Sequence, residues 1–265
     1  MTSVFFLFLL HLALGLLAML PFVPDRAGRN FFKFCSAAAA FMMAAAAWAA
    51  YRRFGLEGVA SAPGGARYPS MMAATLASLA LTVLYNRAHH FGAHRLRAPL
   101  LAGALAAGLA AVLLGTPAQP RLLATVTDLT SILLLGAAAS AMILGHFYLV
   151  VLDLPITALR RLTVLLVVGL VLRAAVVAWA LAGTPEGLAD ARLIAAGLWS
   201  PDGIFVWMRI LFGLAGPLSL VWFIWKTVEI RSTQSATGIL YVQLFLVLSG
   251  ELLAKYLRVA AGFPL

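Results

Sequence analysis

The sequence has a single cysteine, Cys35, and few charged residues. One cysteine excludes an intramolecular disulfide and any metal site built only from thiolates. Charged residues make up 11% of the chain, whereas a soluble domain has about a quarter. The hydrophobic fraction is 63%, so an excess of apolar side chains accompanies the deficit of charge. This composition predicts an integral membrane protein rather than a soluble one.

The common motifs of nucleotide and metal chemistry are also missing. There is no Walker loop, no dinucleotide-binding glycine pattern, no paired-cysteine spacing and no HExxH sequence. The tryptophan-rich signature of haem-handling assembly proteins and the aspartate-rich motifs of membrane prenyltransferases are absent too. The net charge is +10, but the basic residues fall mostly in short loops, where they set orientation and meet anionic lipid. We therefore expect the lipid bilayer as a partner and no nucleic acid.

Long apolar runs account for most of the chain. A spanning helix needs about 20 mostly apolar residues, and backbone hydrogen bonding in a bilayer favours helices for runs of this length. Eight segments qualify: 4–23, 33–51, 69–86, 98–115, 124–152, 158–182, 204–226 and 235–262. The sequence thus predicts an all-α integral membrane protein with short loops. Residues 1–265 form a single polytopic domain, for which two four-helix halves, 1–115 and 124–265, are a natural division.

Positive charge marks alternate loops and predicts the orientation. The basic loops hold Arg26, Arg29, Lys33, Arg87, Arg95, Arg97, Arg160, Arg161, Lys226 and Arg231, and only Arg52 and Arg53 disagree with the pattern. The positive-inside rule therefore places both termini outside, in a bacterial cytoplasmic (inner) membrane. Basic residues follow the first apolar run and do not precede it, so we interpret this run as a spanning helix rather than a secretory signal. A short interfacial helix is predicted near residues 188–199.

The fifth predicted helix has a titratable side chain towards each end. Asp128 begins it on the outer side, and His146 lies in the apolar stretch SAMILGHFYLV towards the inner side. Their separation is about five helical turns, so both lie on one face. Imidazole in hydrocarbon needs a partner. Two interpretations of His146 stay open, which are quinone or proton chemistry and an interhelical hydrogen bond.

The sixth and eighth predicted helices also contain charged side chains. An unpaired arginine at the position of Arg173 costs at least about 2.5 kcal/mol, so we expect a partner or a cavity there. Glu251 and Lys255 have the spacing of an i,i+4 ion pair. Arg258 follows on the same face, and we expect its side chain to extend to the outer interface.

The seventh predicted helix contains Gly213, Gly216 and Pro217, which predict a kink or a locally opened helix. Arg209 enters the same helix at a depth similar to that of the charged residues in the eighth. If helices five to eight form one bundle, we expect these ionisable groups to converge in its outer half: Asp128, Arg173, Arg209, Glu251 and Lys255.

This set of groups suits a membrane subunit of a bacterial respiratory or electron-transfer complex that interacts with quinone. The candidate catalytic residues are His146, Glu251 and Asp128, because quinone chemistry needs titratable hydrogen-bonding partners and a proton route. Arg173 and Arg209 are candidate cofactor-binding residues, either as electrostatic partners or through haem propionates.

Haem b ranks below quinone as the expected cofactor. Among the histidines, only His11 and His146 lie within predicted helices, and they are the candidate axial ligands. Their depths differ by about 8 Å, which is a poor fit to one haem. No metal site is predicted, because His89, His90 and His94 lie in a basic loop without carboxylates.

The size, the helix count and the outside termini resemble the quinone-binding membrane anchors of the polysulfide-reductase and dimethyl-sulfoxide-reductase type. This resemblance is one of architecture, with no matching motif. It implies other subunits that hold redox centres, so any enzyme activity belongs to the complex. Two alternatives stay open: a small transporter or channel that uses the kinked seventh helix, and an assembly or scaffold factor without a cofactor.

Overall fold

The computed structural model describes residues 2–54, 67–116, 121–151, 154–182 and 203–261, and their regular structure is entirely helical. The first six helices are α1 (Thr2–Met19), α2 (Arg29–Phe54), α3 (Arg67–His90), α4 (His94–Gly115), α5 (Arg121–Val150) and α6 (Thr157–Ala182). They are followed by α7 (Gly203–Ile210), a π-helical turn (Leu211–Ala215), α8 (Gly216–Glu229) and α9 (Thr233–Ala261). Short 3-10 turns, Leu20–Phe22 and Asp25–Ala27, connect α1 to α2.

Eight helical spans in the described residues are long and apolar enough to cross a membrane. The α7 helix, the π turn and α8 together make one of them, residues 204–229. The predicted all-α membrane class and the predicted number of spans are therefore confirmed. The side on which each terminus lies stays a prediction, and the interfacial helix predicted at 188–199 lies outside the described residues.

Several helices are longer than hydropathy predicts. Both α2 and α3 begin before their predicted apolar segments, at Arg29 and Arg67. Hydropathy detects only the part of a helix that lies in hydrocarbon. The helical hydrogen-bond pattern continues beyond that part, into sequence that is too polar for hydropathy to detect.

The chain forms two compact units, residues 1–121 and 122–265. In the first unit, small residues bring α1, α3 and α4 close together. A side chain on Gly108 of α4 would overlap Leu14 of α1 and lie 3.0 Å from the hydroxyl of Ser78 in α3. That hydroxyl donates a 2.7 Å hydrogen bond to the carbonyl of Ala104 in α4. Close backbone approach with hydrogen bonds across helices is the expected way to join helices in lipid.

A second polar contact joins α2 to α3. The side-chain amide of Asn86 donates to the carbonyl of Lys33 and to the hydroxyl of Ser36, both at 2.8 Å. The Ser36 hydroxyl donates in turn to the carbonyl of Phe32 at 2.7 Å. One amide group therefore ties two helices at two points.

In the second unit, α5 is in contact with both α6 and α9. On one side, a side chain on Gly169 of α6 would lie 3.2 Å from the Cα atom of Leu134. On the other side, a side chain on Gly145 would lie 2.9 Å from the hydroxyl of Thr237 in α9. Glycines thus allow α5 to approach two neighbours closely, which places its polar side chains inside the unit.

Replacing Asn86 by alanine should destabilise the first unit, because it removes both hydrogen bonds between α2 and α3. We expect a loss of about 1 kcal/mol, typical of polar contacts between membrane helices. The matched control is Asn30→Ala, since Asn30 is exposed on α2. Thermal unfolding in detergent measures the difference, and equal melting temperatures for both variants would contradict the assignment.

Candidate functional site

Charged and polar side chains from four helices meet inside the second unit, with the carboxylate of Glu251 at the centre. Its Oε1 atom accepts hydrogen bonds from Arg173 Nε at 2.8 Å and from Arg209 Nη2 at 3.0 Å. Its Oε2 atom accepts one from the hydroxyl of Ser131 at 2.6 Å. Together with Lys255, these residues are named the ionic cluster, and all of them are buried.

Lys255 lies one turn after Glu251 on α9, as the sequence spacing predicts. Its ammonium is 3.8 Å from Glu251 Oε2, so the predicted ion pair is confirmed. The shorter contact of Lys255 is a 2.9 Å hydrogen bond to the hydroxyl of Ser131. Ser131 therefore accepts from the lysine and donates to the carboxylate, and it links the two charges.

A second ion pair lies beside the cluster, between Asp128 of α5 and Arg258 of α9. Only 8% of the Arg258 side chain is exposed. The expectation that Arg258 extends to the membrane interface is therefore wrong. Asp128 lies one turn before Ser131 on α5, and its carboxylate is buried inside the unit. The ion pair with Asp128 takes the place of the hydration that the Arg258 guanidinium would have in the headgroup region.

The predicted convergence of ionisable groups is confirmed within the second unit. Arg173 and Arg209 both contact Glu251 directly. Asp128 is connected to α9, the helix of Glu251, by its ion pair with Arg258. Arg173 also donates to the backbone carbonyl of Thr127 at 3.3 Å. Each buried charge in this part of the molecule thus has an opposite charge or a dipole next to it.

A π turn and two glycines give Arg209 its position. The π turn begins two residues after Arg209, at Leu211, and it confirms the predicted local opening of the seventh span. Gly213, within the turn, faces Gly250 of α9, and a side chain on either residue would overlap the backbone or the Arg209 guanidinium. The absence of both side chains leaves room for Arg209 to reach Glu251.

Positive charge exceeds negative charge in this region. The basic side chains Arg173, Arg209, Lys255 and Arg258 surround two carboxylates, Glu251 and Asp128, a formal surplus of two positive charges among the described residues. Moreover, the Nε and Nη1 atoms of Arg209 are buried and donate no hydrogen bond to any described residue. Buried donors without acceptors are unfavourable. The site therefore favours a ligand that accepts hydrogen bonds and tolerates or develops negative charge.

His146 does not belong to the ionic cluster. It lies about 22 Å from Ser131 along α5, its side chain is exposed, and its Nδ1 atom is 3.3 Å from the hydroxyl of Tyr241 in α9. His146 and Asp128 lie on one face of α5, but only the Asp128 end of that face is buried. Arg258 covers Asp128, whereas Tyr241, the partner of His146, is itself exposed. The interhelical contact is present, and a chemical role for His146 stays a prediction.

The other histidine predicted as a ligand, His11, is fully buried in α1 of the first unit. His11 and His146 therefore belong to different units. Among the described residues, no group of three or more His, Cys, Asp or Glu side chains is placed to hold a metal ion.

Sequence reasoning missed Ser131, which contacts both Glu251 and Lys255. A signal for it was present, because Ser131 follows Asp128 by three residues and so lies on the same helical face. It also missed Gln243, a buried residue of α9 whose side-chain amide has no hydrogen-bond partner among the described residues.

No family model, curated protein or solved structure matches this chain. The geometry and charge of the site itself are therefore the basis for inferring a function.

Replacing Gly250 by alanine should displace α9 from the π turn and lower the melting temperature, because the new methyl group would overlap the backbone of Gly213. The control is Gly238→Ala on the same helix, where no atom lies within 4 Å of the added carbon. That control should be neutral or should stabilise α9 by up to about 1 kcal/mol. Equal effects of the two variants in thermal unfolding would contradict the close contact.

Replacing Glu251 by glutamine leaves three buried cations without their shared carboxylate. Breaking a buried ion pair in this way costs about 3–5 kcal/mol. The control is Glu229→Gln, which removes an exposed partner of Lys226 and should cost about 0–1 kcal/mol. Detergent-solubilised protein should show the large difference in thermal unfolding. A Glu251→Gln protein as stable as the control would disprove the central role of Glu251.

Proposed function

We propose that the chain is a membrane subunit of a quinone-linked electron-transfer complex and that a quinone headgroup binds at the ionic cluster. The observation that supports this is the buried surplus of positive charge around Arg209, whose Nε and Nη1 donors lack acceptors among the described residues. Quinone carbonyl oxygens accept hydrogen bonds, and reduction places negative charge on them. Preorganised donors in a dry site stabilise such developing charge strongly.

Three residues of the ionic cluster have distinct roles in this proposal. Arg209 donates hydrogen bonds to a quinone carbonyl, and Lys255 is the proton donor beside it. Glu251 is a positioning residue rather than the catalytic one predicted from sequence, because Arg173, Arg209 and Ser131 already occupy its oxygens. Reduction of quinone to quinol takes up two electrons and two protons. The electrons come from a redox centre of a partner subunit, which the proposal requires.

Polar side chains along the α5–α9 contact supply a route for the protons. One interhelical contact joins Ser131 to Glu251, and another joins His146 to Tyr241. The buried amide of Gln243 lies between these contacts along α9, and an unsatisfied polar group of this kind favours internal water. His146 is then the titratable group at the far end of the route. Asp128 belongs to the opposite end, where it holds Arg258.

Transport of a small anion is the second candidate function. The π turn next to the cluster favours it, since π-helical turns frequently lie at functional sites. The same positive surplus would bind the anion. A scaffold without ligand is less favoured, because helix packing alone gives no reason for unmatched buried donors. Haem b at His11 and His146 has no supporting observation.

Quinone content measured on purified protein tests the proposal. The wild-type chain, isolated in mild detergent with its associated subunits, should yield quinone on solvent extraction and chromatography. Arg209→Lys keeps the positive charge next to Glu251 but removes the planar guanidinium group with its several N–H donors. We expect it to reduce bound quinone about tenfold or more. The control is Arg161→Gln, at an exposed position of α6, which should bind as the wild type does.

Two results would overturn the quinone proposal. One is wild-type protein that purifies without quinone or partner subunits, and the other is equal quinone in Arg209→Lys and Arg161→Gln. In either case, uptake of small anions into liposomes that depends on Arg209 would establish the second candidate instead.

A further inference from the structure

A polar cleft of about 400 Å³ opens at one end of the first unit. It is lined by Asp25, Arg29, Phe32, His89, His94 and Arg97. These residues come from the 3-10 turn before α2, the start of α2, the end of α3 and the start of α4. Three helix ends and a turn therefore bring the basic loop residues of the sequence to one place.

The cleft has more positive than negative charge. Its two arginines, Arg29 and Arg97, face a single carboxylate, Asp25, and the lining also contains two histidines. The Nε and Nη2 atoms of Arg97 are buried and have no hydrogen-bond partner among the described residues. A guanidinium that presents two such donors matches an oxyanion with two oxygens in one plane.

His89 is the second group with unused polar atoms. Only 2% of this residue is exposed, and neither ring nitrogen has a hydrogen-bond partner among the described residues. Its ring is stacked on Phe32, with centroids 5.1 Å apart, and meets the edge of Tyr85 at 4.8 Å. These contacts fix the ring and leave its N–H group available to a ligand in the cleft.

We propose that this cleft binds a phosphate group that belongs to a phosphate ester. Arg97 and His89 hold the phosphate oxygens from the buried side, and Arg29 and His94 reach them from the exposed rim. The volume lies in the range of small-molecule pockets and exceeds the needs of a bare phosphate ion, so there is room for the esterified group. Guanidinium groups on both sides repel a metal cation, which disfavours a metal at the same histidines.

Two sources supply this chemistry, a phospholipid headgroup and a water-soluble phosphate ester. The basic loops at this end of the unit belong to the side that the positive-inside rule places in the cytoplasm, where anionic lipids are abundant. The cleft belongs to the first unit and the ionic cluster to the second. The proposal is therefore independent of the quinone proposal.

Binding of matched ligands with and without phosphate tests the cleft. Native mass spectrometry compares dioleoyl phosphatidic acid with dioleoylglycerol, and calorimetry compares glycerol 3-phosphate with glycerol. Arg97→Gln should weaken binding of the phosphate compound about tenfold or more. The control Arg95→Gln makes the same change of charge two residues away, at an exposed side chain outside the cleft, and should change binding less than about twofold.

Two further variants separate binding from folding. His89→Phe keeps an aromatic ring between Phe32 and Tyr85 but removes both nitrogens, so it should fold normally and bind phosphate several-fold more weakly. Arg29→Gln changes an exposed residue at the start of α2 and should also weaken binding of the phosphate compound. This variant tests the proposal if Arg97→Gln does not fold.

The outcomes identify the source or overturn the proposal. Selective binding of phosphatidic acid alone identifies a lipid headgroup, and binding of glycerol 3-phosphate identifies a soluble ester. If neither phosphate compound binds, the proposal is overturned. The same holds if Arg95→Gln weakens binding as much as Arg97→Gln and Arg29→Gln do.

Discussion

The second unit depends on one buried carboxylate. Glu251 of α9 accepts hydrogen bonds from α5, α6 and α7, so a single side chain fixes the relative positions of four helices. Lipid gives helices no hydrophobic reason to associate, and directional charge-assisted bonds of this kind supply the specificity. The π turn and the pair Gly213 and Gly250 serve the same contact, because they allow Arg209 to approach. The irregular backbone and the close helix packing at this point therefore both contribute to the position of the arginine.

Both polar sites of the molecule have a surplus of positive charge and buried donors without acceptors among the described residues. The first lies within an apolar helical span, at Arg209, and the second lies at a helix end, at Arg97. The net charge of the chain is +10, and the simplest explanation for this charge is that basic loop residues orient the chain in the membrane. The structure adds a different use for part of that charge, since Arg173, Arg209 and Lys255 are interior.

Hydropathy alone predicted the eight spans, because burying a polar backbone in lipid leaves few alternatives to a long apolar helix. The cost of unpaired charge predicted a partner or a cavity for Arg173, and the i,i+4 spacing predicted that Glu251 pairs with Lys255. The identity of each partner was not predictable in every case. Arg258 pairs with Asp128, 130 residues away in sequence, and helical periodicity specifies a face but not the neighbouring helix. For the same reason, the shared face of Asp128 and His146 did not reveal that only one of them is buried.

The sequence separation of 78 residues between Arg173 and Glu251 has a consequence for biogenesis. Synthesis proceeds from the N-terminus, so α6 enters the membrane before the partner of its arginine has been made. The surrounding segment has a mean hydropathy of 2.4, which offsets the roughly 2.5–3.5 kcal/mol that a central arginine costs during insertion. The ionic cluster closes only when α9, the last of the described helices, arrives. Assembly of the second unit therefore waits for a helix that is made well after α6.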